Sequence, residues 1–158
     1  MSEENMKSAL QILQAHIDVP QAPTDWFTVT QDQINNFAKV TMDHQWIHVD
    51  EERSKNGPFG KTIAHGHLTL SIMGHLPRPD DHSGLPKLSG QKMGINYGFD
   101  KVRFPAPVPV GARIRSQRTL KRAEIKGGMI EIMQEVVVHV DGQGKPACVA
   151  ESLSRMVF

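Results

Sequence analysis

Little in this sequence points to the cell exterior, to nucleic acid or to a bilayer. The lone cysteine, Cys148, cannot close an internal disulfide. The opening MSEENMKSAL has neither the basic start nor the apolar stretch of a secretory signal. A reducing cytoplasm is the expectation. Lys and Arg number 18 against 17 Asp and Glu, so no overall field draws the chain to nucleic acid or to an anionic membrane surface. No apolar run approaches the ~18 residues that span a bilayer. Aromatic residues, at 6%, are also scarce, but 39% hydrophobic and 22% charged residues are ordinary for a folded chain. Its 158 residues suit one domain that buries roughly two-thirds of its unfolded surface. The expectation is a single unit over residues 1–158, with residues 1–25 as a helical extension.

What is present changes character along the chain. Met6, Leu10, Leu13 and Ile17 recur at helical spacing until Pro20 and Pro23. Thr30 stands three residues before Gln33 as in a capping box, which predicts a helix from about Gln31 to Val40 with Ile34, Phe37 and Ala38 on its apolar face. A polar loop follows, broken at Gly57-Pro58. From Ala64 to Leu76 apolar residues fall on nearly every side, which predicts a helix inside the core. The second half alternates, most clearly at Ile130, Ile132, Val136, Val138 and Val140, and turn signals divide it into four strands from about Lys92 onward. Helices followed by antiparallel strands make an α+β domain, a curved sheet packed on a buried helix.

Asp43 and His48 bracket the loop after the second helix, with Trp46 and Ile47 between them. A carboxylate and an imidazole beside apolar side chains can be tuned for proton transfer near neutral pH. An Asp after a helix is also a common cap or turn residue, so the pair alone does not decide. Ala64-His65-Gly66-His67 opens the buried helix, where first-turn N–H groups lack internal partners and a glycine admits an oxygen closely. Such a site suits a carbonyl gaining negative charge, although Gly66 also serves close packing.

The run D-H-Q-W-I-H, then F-G-K-T-I-A-H-G-H-L-T-L-S, then I-N-Y-G-F-D-K-V-R-F-P-A-P-V-P-V-G resembles the MaoC-like, (R)-specific enoyl-CoA hydratases, especially the NodN-like branch. The resemblance covers Phe27 to Phe158. It implies a hot-dog fold, an antiparallel sheet wrapped around a central helix, and pairing into a homodimer. It also implies a hydro-lyase that adds water to trans-2-enoyl-CoA to give (3R)-hydroxyacyl-CoA. Asp43 and His48 would handle the water and the Gly66 N–H would hold the thioester oxygen. Beside these, Ala64 and His65 are expected to border the substrate, and Trp46 and Tyr97, with Phe99, could line an acyl tunnel or simply belong to the core. Gln45 and Trp46 stand where many members have asparagine and proline, which bears on loop shape and substrate fit.

No cofactor is expected. His44 and His48 have helical spacing, but Gln45 occupies the glutamate place of an HExxH pattern, so no metal is expected either. Lys101, Arg103, Arg113 and Arg115 are candidates for CoA phosphates or simply a solvated face, and His75, His82 and His139 read as ordinary polar residues. Two alternatives stay open: a hot-dog thioesterase, disfavoured because no Asp or Glu lies between Glu52 and Asp80, and a non-catalytic acyl-binding subunit.

Overall fold

The computed structural model describes residues 2–80 and 84–158, so His82 lies outside the described residues. Helix α1 spans Ser2–Gln14. Its Ala9 and Leu13 are buried against Leu120, Ile130, Ile132 and Met156 of the sheet. Strand β1 is only Phe27–Thr28. Helix α2, Gln31–Thr41, begins at the expected capping box. The Thr30 hydroxyl accepts the Gln33 N–H and the Gln33 side chain accepts the Thr30 N–H. Short helices α3, Trp46–Val49, and α4, Glu51–Lys55, follow.

The central helix α5 is shorter than its apolar run, Gly66–Ile72. Ala64 is excluded because its N–H donates to Val108 O at 2.8 Å and Ile63 bridges Pro109, which holds these residues extended. Nor is α5 covered on every side: Leu68, Thr69 and Met73 are buried, Leu70 and Ile72 half-buried, and His67 and Ser71 exposed. Among the described residues no helix is long and apolar enough to cross a membrane.

Four long strands complete the chain: β2 (Met93–Arg103), β3 (Arg113–Lys126), β4 (Met129–Val140) and β5 (Cys148–Val157). They form one curled antiparallel sheet in the order β1-β3-β4-β5-β2. With α5 packed on its inner face, this is the hot-dog arrangement. Along β4, Ile130, Ile132, Val136, Val138 and Val140 are buried in one row, as the alternation predicts. The two edges of the sheet differ. Beyond the short β1 pairing, β3 is strapped by residues 18–24: Asp18, Gln21 and Thr24 N–H groups donate to Leu120, Arg118 and Ser116 carbonyls at 2.8–2.9 Å. Strand β2 ends the other side of the sheet, with Met93, Ile95 and Tyr97 at 54, 42 and 54% exposure.

Candidate active site

Met42, in the left-handed region at φ 63°, ends α2 and turns the chain so that Asp43, His44 and Gln45 run exposed before α3. Within α3, His48 is buried. Its Nδ1 lies 2.7 Å from Ile63 O. A carbonyl can only accept, so Nδ1 carries the proton and the neutral ring presents Nε2 as a lone pair. Gln31, on α2, fixes the same residue from behind. Its Nε2 donates to His48 O at 2.8 Å while its Oε1 accepts the Thr62 hydroxyl at 2.5 Å.

His65, also buried, caps α5 and reaches back across the loop, donating from Nε2 to Asp43 O at 3.0 Å. The His48 and His65 rings stack with centroids 3.9 Å apart, and Phe37 closes the other side of His65 at 5.0 Å. The Asp43 carboxylate remains half open to solvent and accepts the Gln45 N–H at 3.3 Å. Burial pushes the His48 imidazole below its ordinary pKa. The Ile63 hydrogen bond works against that shift, His65 adds to it, and the Asp43 charge opposes it. A neutral His48 beside an accessible carboxylate is an arrangement for accepting a proton from water.

Asp43, His48 and His65 each place a ligand-type atom within 4.8 Å of the others, close enough for a divalent cation. His48 has committed Nδ1 to Ile63 and His65 has committed Nε2 to Asp43, so one nitrogen remains on each ring, that of His65 being buried without a partner. Together with Gly66, His67 and Phe104 they line a cavity of about 240 Å³. Gly66 has a local steric reason. A Cβ there would sit 2.9 Å from the Phe104 ring, so any side chain must displace the cavity's aromatic wall.

The other expected residues fall elsewhere. Ala64 is buried beside the cavity with its N–H bound to Val108. Trp46 turns from the cavity to stack under the Arg53 guanidinium at 4.3 Å and would meet a Cβ at Gly57 at 3.0 Å. Tyr97 lies on the open edge strand beneath Arg155, at 3.6 Å, which itself bonds Glu131. Strand alternation puts Tyr97 on the face opposite Asn96, and the irregular pairing between Asn96 and Gly98 brings Phe99 onto the Asn96 face instead. Lys101 pairs with Glu151 at 2.7 Å and Arg113 pairs with Asp141. Phe104, His67, Phe37 and Gln31 are the site residues that sequence reasoning assigned no role. His67 and Phe104 lie in the motifs quoted above and Phe37 on the predicted apolar face of α2, whereas nothing in the sequence pointed to Gln31.

Residues 13–142 match the family described as MaoC like domain. Over 135 residues the chain is 51% identical to 3-hydroxyacyl-thioester dehydratase Z of Mycobacterium tuberculosis, covering 85% of this chain and 86% of that protein. It is 42% identical over 137 residues to nodulation protein N of Rhizobium leguminosarum bv. viciae, covering 85% and 83%. Among solved structures, a monoamine oxidase regulatory protein from Archaeoglobus fulgius superposes with a TM-score of 0.71 at 26% identity, covering 89% of each chain. The histidine-and-aspartate cavity at the start of a helix packed on a curled sheet thus sits in a chain that belongs to the MaoC like domain family.

Proposed function

We propose that this chain is a hydro-lyase that reversibly adds water to trans-2-enoyl-CoA to give (3R)-hydroxyacyl-CoA. The single observation that carries the reading is the His48 tautomer. With Nδ1–H fixed on Ile63 O, the unprotonated Nε2 is the base. As the water oxygen bonds to C3, Nε2 takes one of its protons and the C2–C3 π pair moves toward the carbonyl. The Asp43 carboxylate holds the water and steadies the imidazolium. The Gly66 N–H, in the first turn of α5, faces the thioester oxygen as it gains charge. Return of the proton from Nε2 to C2 completes the addition and restores the site. The 51% identity to a 3-hydroxyacyl-thioester dehydratase supports the same chemistry.

The chain acts in this reading as one unit over residues 1–158, since α1 packs on the same sheet as the rest. It also pairs as a homodimer, because β2 leaves an edge and apolar side chains uncovered. The test is loss of enoyl-thioester absorbance with crotonyl-CoA, run beside a thiol-release assay and a light-scattering mass. Hydration giving a product that an (S)-specific 3-hydroxyacyl-CoA dehydrogenase refuses, from a two-chain particle, is expected. Free CoA without hydration would instead make it a thioesterase.

A further inference from the structure

The inner face of the sheet is apolar at both ends and polar in the middle. On β4 the buried row is Ile130, Ile132, Gln134, Val136, Val138 and Val140, with one glutamine in an aliphatic series. Its neighbour on β5 is Ser152, two residues before Ser154, which in turn faces Asn96 of β2. Arg118 adds a guanidinium from β3, opposite Val136. These five polar side chains lie on four adjacent strands and line one cavity of about 110 Å³. Of the five, Gln134 is buried, Arg118, Ser152 and Ser154 are half-buried and Asn96 is exposed, and a buried polar group costs stability unless something bonds to it.

The belt lies in line with the catalytic cavity. Gly66 and His67 line the catalytic cavity, while Leu70, Ser71 and Gly74 line the polar one. Gly66, His67, Leu70 and Ser71 follow the three- and four-residue steps that keep one face of α5. The opposite walls also share a strand and its end, Phe99 and Phe104. From Gly66 to Ile72 the helical rise is roughly 9 Å, and Gly74 lies in the turn that follows. An acyl chain leaving a thioester pinned at Gly66 would run along α5, past Leu70 and Phe99, to reach the belt.

At that end Arg118 supplies a cation. Arg118 donates from Nη2 to Met73 O at 3.2 Å, while its Nε is buried without a protein partner. Burial, reinforced by the nearby Arg78 charge, pulls its pKa down to about 10. Arg118 and Gln134 also border a second, wider cavity of about 520 Å³ to which Arg78, Lys87 and Asp80 contribute, so the groove does not end in a closed apolar floor.

We propose that this chain selects enoyl thioesters whose acyl chain ends in a carboxylate, held by Arg118 and Gln134 with the serines and Asn96 around it. The proposal rests on the hydratase reading and names that enzyme's substrate class. A plain methyl end would leave the buried Arg118 Nε without a partner, whereas a carboxylate offers charge-assisted hydrogen bonds.

The experiment compares trans-2-enoyl-CoA pairs of equal length, about six to ten carbons to reach past the ~9 Å rise of α5, one member ending in methyl and the other in carboxylate. In the wild type, kcat/KM should favour the carboxylate by about tenfold or more. Arg118→Met should bring the two members of a pair close to equality, and Arg118→Lys should keep part of the preference. Calorimetric binding of the matching saturated thioesters to the wild type needs neither turnover nor a variant and should show the same order. Crotonyl-CoA hydrated without any carboxylate preference overturns this inference alone. A preference that survives Arg118→Met overturns the assignment to Arg118. Carboxylate-selective binding in a protein that hydrates nothing sinks the hydratase reading and leaves the pocket standing.

Discussion

The stretch from Met42 to Gly66 and the sheet beneath it hold their buried groups in opposite ways. In the first, the buried side chains include Thr62, His48 and His65, and hydrogen bonds to Gln31, Ile63 and Asp43 fix them. In the second, the buried rows are mainly Ile, Val, Leu and Ala, fixed by shape. The difference teaches where each property resides. The polar segment sets orientation and proton affinity at little gain in stability, because each hydrogen bond replaces one to water. The apolar rows supply stability and touch no reacting atom.

The sharpest way to break that comparison is at the acid–base pair. Asp43→Asn and His48→Gln should each lower kcat by about two to four orders of magnitude. The double variant should lose little more than either, since both act on one water. Thermal melts should stay near the wild type, and full activity in either single variant would remove the pair from the mechanism. The converse change is Ile130→Ala in a fully buried position of β4. It should cost about 2–5 kcal/mol in a denaturant titration, with kcat for the protein that remains folded nearly unchanged. A large kcat loss at full stability would show that the two regions are not separable.

The smallest effect is in pH. His48 acts when neutral, and burial lowers its folded-state pKa from 6.5. Hydration kcat/KM should therefore rise through a midpoint below 6.5 and be level at neutral pH. The linked stability has the same sense. The unfolded chain binds the proton more readily, so this histidine's contribution is complete above 6.5 and fades as pH falls toward the folded value. A kinetic midpoint above 6.5 would contradict the burial that produces the shift.

Much of this was legible from residues alone, and the misses share a physical cause. The capping box at Thr30 and the alternation in β4 are local patterns, and local patterns place α2 and the strand. The ends of α5 were not legible. They depend on Ala64 being held by Val108, a partner distant in sequence. Trp46 and Tyr97 were singled out by motif position, yet their rings face Arg53 and Arg155. Which way an aromatic side chain turns at a short helix or a bulge is a tertiary decision. Gln134 was in plain view within the β4 alternation, but a single polar residue means little until its neighbours on adjacent strands are known.

The strap along β3 has a kinetic consequence. The catalytic contacts join residues 15 to 31 positions apart, whereas those tying Thr24 and Asp18 to β3 span 92 and 103. Loop closure grows dearer in entropy with separation, and folding slows when distant contacts dominate. During synthesis the strap emerges first and then waits for its strand. Until β3 arrives, the first two dozen residues have no ladder to join, and β3 itself, once made, offers a bare edge to any other chain until the strap closes over it. The segment that reads along the sequence as a helical extension ahead of the catalytic motifs thus also covers the β3 edge of the finished sheet.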